Sequence, residues 1–299
     1  MKSGAADTFR IGGDLEVRRL GFGAMRLVGP DVYGEPADPA NSLAVLRRVV
    51  ELGVDLIDTA EAYGPEINER QIAEALAPYP PHLVVATKCG IDRRARDRGQ
   101  TRTKGSPSEI RASCEGSLRR LQMERIDLYQ LHRIDPAVPI EESVGALADL
   151  QREGKVRHIG LSEVSVEQIE RAKKVAQIAT VQNRYNVADR EHEAVLDHCE
   201  VNGIGFIAWY PLGSGALSAT GGPLDPIARR LGVTPSQVAL AWLLARSPVL
   251  VAIPGTSSVA HLEQNVAAAR VRLTADDMSE LNRLSKPASG PETEAEPSG

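Results

Sequence analysis

Residues 54–64 read V-D-L-I-D-T-A-E-A-Y-G. Val54, Leu56 and Ile57 form a short apolar strand, Asp58 closes it, and Tyr63 follows in the loop five residues later. An acid at the end of a strand and a phenol in the loop beyond can reach one small volume from different backbone positions. A phenol has an ordinary pKa near ~10, so at neutral pH it is a poor donor and a poorer base unless a neighbour assists it. Two questions follow: whether this strand-to-loop unit recurs, and whether the chain supplies the neighbour.

The unit recurs on both sides. Before it, Asn41 to Leu52 reads as a helix with Leu43, Leu46, Val49 and Val50 on one face, ended by Gly53. After it, helix Asn68–Leu76 precedes strand Leu83–Thr87. Ser106-Pro107-Ser108-Glu109 is a capping box with proline at the first position, opening a helix to Leu121. Strand Ile126–Leu131 leads to helix Ile140–Glu153, with Ile140, Val144, Leu147 and Leu150 in one stripe and Gly154 as its stop. Strands Val156–Leu161, Thr180–Gln182, Ile204–Trp209 and Val249–Ile253 alternate with helices Val166–Val175, Glu191–Asn202, Ile227–Leu231, Pro235–Arg246 and Ser258–Ala268. With Leu20–Gly23 as the first, eight strands alternate with about eight helices, the pattern of a parallel sheet covered by helices. Eight units in about 270 residues match a closed (β/α)8 TIM barrel, with a doubly wound open sheet as the alternative. Gly12-Gly13-Asp14 between Thr8–Ile11 and Leu15–Arg18 signals an N-terminal β-hairpin, and Thr274 caps an extra C-terminal helix to Leu284. Residues 1–286 read as one domain, Met1–Asp7 as a loose end, and the Pro/Glu/Ser/Gly-rich 287–299 as a disordered tail.

Composition narrows the function. The 299 residues are 42% hydrophobic and 25% charged with a net charge of −5, which suits a soluble globular protein and offers no surface for nucleic acid or membrane. The basic run Arg93–Lys104 lacks aromatics and reads as a solvated loop. Cys89, Cys114 and Cys199 lack metal-ligand spacing, and the odd count suits a reducing compartment; the six histidines form no metal motif. No apolar run approaches the roughly 18 residues of a membrane span, and no signal peptide is legible. The expectation is a cytoplasmic protein without a metal.

In a barrel of this kind reacting groups stand where strands end. Strand two delivers Asp58, strand three Lys88 and strand four His132; with Tyr63 they are four groups of matched chemistry. A buried ammonium favours a phenolate beside it and lowers a phenol's pKa by roughly 1–3. Lys88 is placed to be that ammonium, Asp58 to keep it charged, and His132 to orient a carbonyl oxygen. Such a set polarises a carbonyl and protonates the oxygen as charge develops. The hydride that completes a reduction comes from no side chain, so a nicotinamide is implied.

At this point the chain resembles the aldo-keto reductases, over Leu20 to Leu284. The motifs are L-G-F-G-A-M-R-L (20–27), I-D-T-A-E-A-Y-G (57–64), A-T-K (86–88), D-L-Y-Q-L-H-R (127–133), I-G-L-S (159–162), V-Q-N (181–183), W-Y-P-L-G-S-G (209–215) and I-P-G-T-S (253–257). The resemblance implies a catalytic tetrad of Asp58, Tyr63, Lys88 and His132, with Tyr63 the proton donor, and NADPH bound across the C-terminal face. By the same resemblance Gly23, Ala24 and Met25 meet the nicotinamide end, Ser162 and Gln182 its amide, and Trp209 its ring. Leu212, Gly213 and Ser214 match the pyrophosphate loop, and Thr256, Ser257, Gln264 and Asn265 the adenosine end. Asp58, Tyr210, Pro211 and Ile253 fall among the same cofactor-facing positions.

The chain departs from the family pattern in three places. Glu163 replaces an Asn beside Ser162, with an acid still able to accept the carboxamide NH2. Gly255 stands where some members carry Lys, and His261 where they carry Arg, so NADH is admitted beside NADPH. Gly21-Phe22-Gly23 lacks the third glycine and the helix of a dinucleotide fingerprint, and Cys89 reads as a small buried residue rather than a reactive thiol. The resulting expectation is NADPH-dependent reduction of a small carbonyl substrate by a monomer. The alternatives are a redox-sensing subunit resembling potassium-channel beta subunits, and a barrel enzyme using Lys88 as a Schiff-base nucleophile. Substrate choice falls to loops 89–105 and 212–225 and to Arg26, Val28 and Arg133 at the mouth, none of which carries a decodable pattern.

Overall fold

The strands pair in chain order: β1 (Phe22–Gly23), β2 (Leu56–Asp58), β3 (Val84–Cys89), β4 (Ile126–Leu131), β5 (Val156–Ser162), β6 (Ile178–Arg184), β7 (Gly205–Trp209) and β8 (Leu250–Ala252). Every neighbouring pair among them is parallel. A parallel bridge between Leu20 and Ala252 joins the first strand region to the last and closes the barrel. The computed structural model describes residues 8–95, 100–219 and 221–284. The expected loose end Met1–Asp7 and tail 287–299 lie outside the described residues.

The two-residue period of each strand sorts its side chains. Leu56, Val84, Ala86, Leu128, Ile207 and Val251 point inward and pack together. Ile57, Val85, Tyr129, Ile159, Val181, Phe206 and Leu250 are also buried, in the clusters outside the strands. The outer helices are α1 (Pro39–Glu51), α2 (Ile67–Leu76), α3 (Pro107–Leu121), α4 (Ile140–Arg152), α5 (Val166–Lys173), α6 (Glu193–Asn202), α7 (Asp225–Leu231), α8 (Pro235–Arg246), α9 (Val259–Ala267) and α10 (Ala275–Asn282). The antiparallel hairpin Thr8–Ile11/Leu15–Arg18 sends Ile11 and Val17 into the inner cluster, so it stoppers the N-terminal end. Chemistry is left to the other end, where β2, β3 and β4 deliver their last polar residues.

Two segments differ from the sequence reading. Loop 89–105 is not patternless: Ile91–Ala95 and Gln100–Thr103 pair antiparallel, with Ile91 opposite Thr103. The arginine-rich composition hid a strand with the buried apolar Ile91 at its root. Strand β6 runs further than Thr180–Gln182, because Asn183 and Arg184 still pair with Ala208 and Trp209. The Asn183 amide satisfies the backbone of Val164 on both sides, accepting from its N–H at 3.1 Å and donating to its carbonyl at 2.8 Å, which lets a polar residue stay buried in the sheet.

Candidate active site

At the C-terminal ends of β2, β3 and β4 the four expected groups come together. Lys88 Nζ donates to Asp58 Oδ2, to the Thr59 carbonyl at 2.9 Å and to the Tyr63 hydroxyl at 3.3 Å. The ammonium also lies 5.1 Å from the Tyr63 ring centre. His132 meets that ring edge-on, centroids 5.9 Å apart at 83°. Lys88 and Asp58 are buried, while Tyr63 and His132 keep 7% and 8% of their surface, so the two groups that would touch a substrate are the two that solvent reaches.

The charges follow from this packing. Burial works to push the Lys88 ammonium down, and the Asp58 carboxylate and the Tyr63 phenol more than offset it, so its pKa is raised. A lysine held protonated by Asp58 is a poor nucleophile, which speaks against the Schiff-base route. His132 lies well below the ordinary histidine range, first because it is buried and then because Lys88, Arg133 and Arg93 oppose a second positive charge. Its imidazole is therefore neutral at physiological pH. Its Nδ1 is buried without a hydrogen-bond partner among the described residues. Cys89 is buried with its thiol pushed up to about 12 by desolvation, so it is a packing residue.

Gln130, which the sequence reading passed over, and Gln182, expected only as a cofactor contact, hold the arrangement. Gln130 and Gln182 each donate an amide N–H to Asp58 Oδ1, at 3.1 and 2.8 Å, and Gln182 Nε2 also donates to Gln130 Oε1 at 3.2 Å. Gln130 stands two residues before His132 in D-L-Y-Q-L-H-R, so strand alternation already placed both on the inner face. The loop bearing Tyr63 is tied down by the pair Glu61–Lys104: the ammonium donates to both carboxylate oxygens at 2.8 Å, and both residues are buried. Lys104 is thus a structural cation and not part of a solvated run. At the two ends of the loop, Thr59 Oγ1 donates to Asn68 Oδ1 at 2.7 Å, and Gly34 N donates to the Gly64 carbonyl at 2.7 Å.

The expected cofactor positions ring the same end. A Cβ on Gly23 would sit 2.8 Å from the Ile253 carbonyl, and one on Gly255 2.6 Å from the Gly23 carbonyl, so this bare backbone wall between β1 and β8 admits only glycine. Ala24 is buried and Met25 partly so, in a single 3-10 turn after β1. Ser162 accepts from Arg133 Nη1 at 3.4 Å, and the same Nη1 donates to the His132 carbonyl at 2.7 Å. Arg133 is thus anchored at the mouth without an acidic partner in these contacts. Trp209 is partly buried and meets Tyr210 edge-on at 5.7 Å, and its indole N–H goes to Glu163 Oε1 at 2.5 Å. Pro211 is buried and Leu212 precedes the turn Gly213–Ser218 that includes Ser214. Thr256 and Ser257 lead into α9, where Ser258 caps the first turn by accepting from His261 N at 3.4 Å. Gln264 and His261 are exposed on α9 and Asn265 is buried.

A closed (β/α)8 barrel with an ion-paired lysine, a phenol and a neutral imidazole at its C-terminal face is a barrel enzyme with an acid–base site. The model of the Aldo/keto reductase family matches residues 19–286. An oxidoreductase of Schizosaccharomyces pombe is 44% identical over 288 residues, covering 95% of this chain and 93% of that one. Pyridoxine 4-dehydrogenase of Escherichia coli is 42% identical over 288 residues, covering 94% and 99%. An aldo-keto reductase from Klebsiella pneumoniae, solved in complex with NADPH, superposes with a TM-score of 0.81 at 29% identity, covering 93% of this chain and 94% of that one. The chain belongs to the aldo/keto reductase family and is an oxidoreductase.

Proposed function

We propose that this enzyme reduces an aldehyde or ketone to the alcohol with NADPH as reductant and Tyr63 as proton donor. The observation that carries the reading is the Lys88 ammonium, buried and paired with Asp58, within 3.3 Å of the Tyr63 hydroxyl. NADPH, when bound, supplies the hydride. The neutral His132 holds the carbonyl oxygen by a hydrogen bond and orients it toward Tyr63. Tyr63 passes its proton to that oxygen as negative charge develops there, a contribution of about 10²–10⁴ in rate for a positioned acid. Lys88 stabilises the phenolate left behind, and Asp58 acts through Lys88. Because Tyr63 retains some exposure, it regains its proton from solvent.

The Gly23 backbone, where a Cβ would meet the Ile253 carbonyl, suits close approach of a flat ring, and Trp209 offers an aromatic face to it. In this reading Gly23, Ala24, Met25, Ser162, Gln182 and Trp209 hold the nicotinamide end. Leu212, Gly213 and Ser214 hold the pyrophosphate, and Thr256, Ser257, Gln264 and Asn265 the adenosine. Gly255 and His261 bring no Lys or Arg to the 2′-phosphate, so NADH is a weaker second reductant rather than an excluded one.

The test is to mix the protein with NADPH and a panel of aldehydes and ketones and follow loss of reduced-nicotinamide absorbance. Pyridoxal leads the panel because of the 42% identity to pyridoxine 4-dehydrogenase. Turnover by wild type that vanishes in Tyr63→Phe is the expected result. No oxidation above that control across a broad panel would defeat the reading. Separate titrations with NADPH and NADH decide the cofactor, and equal affinity would remove the preference.

A further inference from the structure

We propose that Glu163 is a positioning residue for the reaction: by accepting the Trp209 indole N–H, its carboxylate fixes the plane on which the nicotinamide rests. The inference rests on the cofactor reading above. Glu163 ends the Ser162-Glu163 turn beyond β5 with φ of +54°, a left-handed conformation that a β-carbon-bearing residue adopts at a cost. Its own N–H donates to the Gln182 carbonyl at 3.1 Å, which anchors it to β6. Glu163 Oε1 accepts twice, from Trp209 Nε1 at 2.5 Å and from Arg184 N at 2.8 Å. Glu163 Oε2 faces His192 Nε2 at 3.7 Å. One carboxylate thus joins the ends of β5, β6 and β7.

An oxygen with two donors has both lone-pair sites filled. Oε1 is therefore committed to the protein, and any carboxamide NH2 falls to Oε2, which among the described residues has only His192 at 3.7 Å. The terminal torsion of a tryptophan is broad, so burial alone does not set the indole plane of a partly exposed ring. Three contacts set it here. Tyr185 N holds the Trp209 carbonyl at 3.2 Å, Tyr210 packs against the ring edge, and Glu163 fixes the N–H. Of these, only the Glu163 bond is directional on the ring itself, and it is charge-assisted. Tyr210 is likewise left-handed, with φ of +62°, so Trp209 lies between two turns of uncommon geometry.

A double-mutant cycle separates this role from simple knitting of three strand ends. NADPH dissociation constants are measured by calorimetry for wild type, E163A, E163Q, W209F and E163A/W209F, with circular dichroism confirming the fold. E163A should weaken NADPH roughly tenfold or more, the factor lost with a hydrogen bond to a charged group. E163Q keeps an acceptor oxygen and should stay within a few-fold of wild type. In the W209F background, which has no indole N–H, E163A should add less than about twofold. A second readout needs no cofactor: with Trp242 replaced by Phe, Trp209 is the sole fluorophore of the two tryptophans, and E163A should lower its emission anisotropy. Equal losses from E163A with and without the indole, or unchanged affinity and anisotropy in E163A, overturn the inference while the cofactor reading stands. Wild type that binds no NADPH sinks the cofactor reading and this inference with it.

Discussion

The buried pair Glu61–Lys104 gives a prediction that needs no substrate. Glu61 stands two residues before Tyr63, and Lys104 follows the hairpin strand Gln100–Thr103, 43 residues away. Both charged ends are within 6% of full burial. Glu61→Gln keeps the shape, removes the charge, and leaves Lys104 with one amide oxygen as acceptor. Holding a lysine neutral at pH 7, about 3.4 pH units below its ordinary ~10.4, costs close to 5 kcal/mol at about 1.36 kcal/mol per unit. That is the ceiling, and breaking buried pairs costs roughly 3–5 kcal/mol. The remaining amide acceptor puts Glu61→Gln near the lower end, about 3 kcal/mol, or a fall of roughly 5 °C in Tm for a chain of this size.

Urea unfolding at several pH values checks both size and sign. A lone buried lysine is relieved by losing its proton, so the Glu61→Gln defect shrinks as pH rises. In Lys104→Met the carboxylate is the group left over, so that defect shrinks as pH falls. The double variant Glu61→Gln/Lys104→Met leaves no charge behind and recovers most of the loss, because a buried pair is replaceable by neutral groups of similar volume. A single-variant loss below about 1 kcal/mol, or the same pH trend in both single variants, refutes the reasoning.

Three further outcomes are expected. Asp58→Asn lowers kcat by about 10² and distorts its pH profile while NADPH affinity stays near wild type, since Asp58 acts through Lys88; lost NADPH binding with a normal profile contradicts that assignment. His132 is neutral when folded, so below its ordinary value near ~6.5 the unfolded chain takes up a proton that the native state refuses. Its contribution is intact above that pH and declines below it, by up to about 1.36 kcal/mol per pH unit, and a His132→Gln variant unfolded by urea at pH 7 and 5 loses correspondingly less on acidification. Cys89, Cys114 and Cys199 are buried with thiols pushed up to about 12 by desolvation, so a thiol reagent at pH 8 labels the native protein only as fast as it unfolds; prompt labelling of any one contradicts the packing.

What the sequence disclosed depended on how far apart the partners lie in the chain. Strand ends are local events, so an apolar run followed by Asp58, Lys88 or His132 was legible, and so was the alternation that makes a barrel. Gln130 was within reach of the same rule and was overlooked because an amide looks inert until it is seen against Asp58. Glu61–Lys104 and Glu163–Trp209 were out of reach. Their members lie 43 and 46 residues apart and meet only because a hairpin folds back and three strand ends converge. A charged residue near a loop reads as solvated unless its partner is known, which is how Lys104 was placed among surface charges. Boundaries followed the same logic: β6 outran its apolar core because the Asn183 amide found its own backbone partners.

The two buried pairs also bear on which proton the site can release. Lys88 is raised by its partners, so it keeps its protons. Lys104 is wrapped by both oxygens of one carboxylate. His132 is lowered far enough to carry no extra proton. Asp58 is surrounded by donors, Lys88 Nζ on one oxygen and two amides on the other, so it accepts and has nothing to give. Among the described residues the cations and anions of this cluster cancel pairwise, which in the proposed reading leaves the Tyr63 phenol as the proton to give, beside the buried imidazole of His132. In the proposed reading the ammonium at 3.3 Å faces a neutral hydroxyl at rest and a full negative charge once the proton has left, so its attraction grows as the transfer proceeds. That asymmetry is what makes the arrangement more complementary to a developing phenolate than to the resting phenol, and complementarity of that kind lowers a barrier where uniform binding does not.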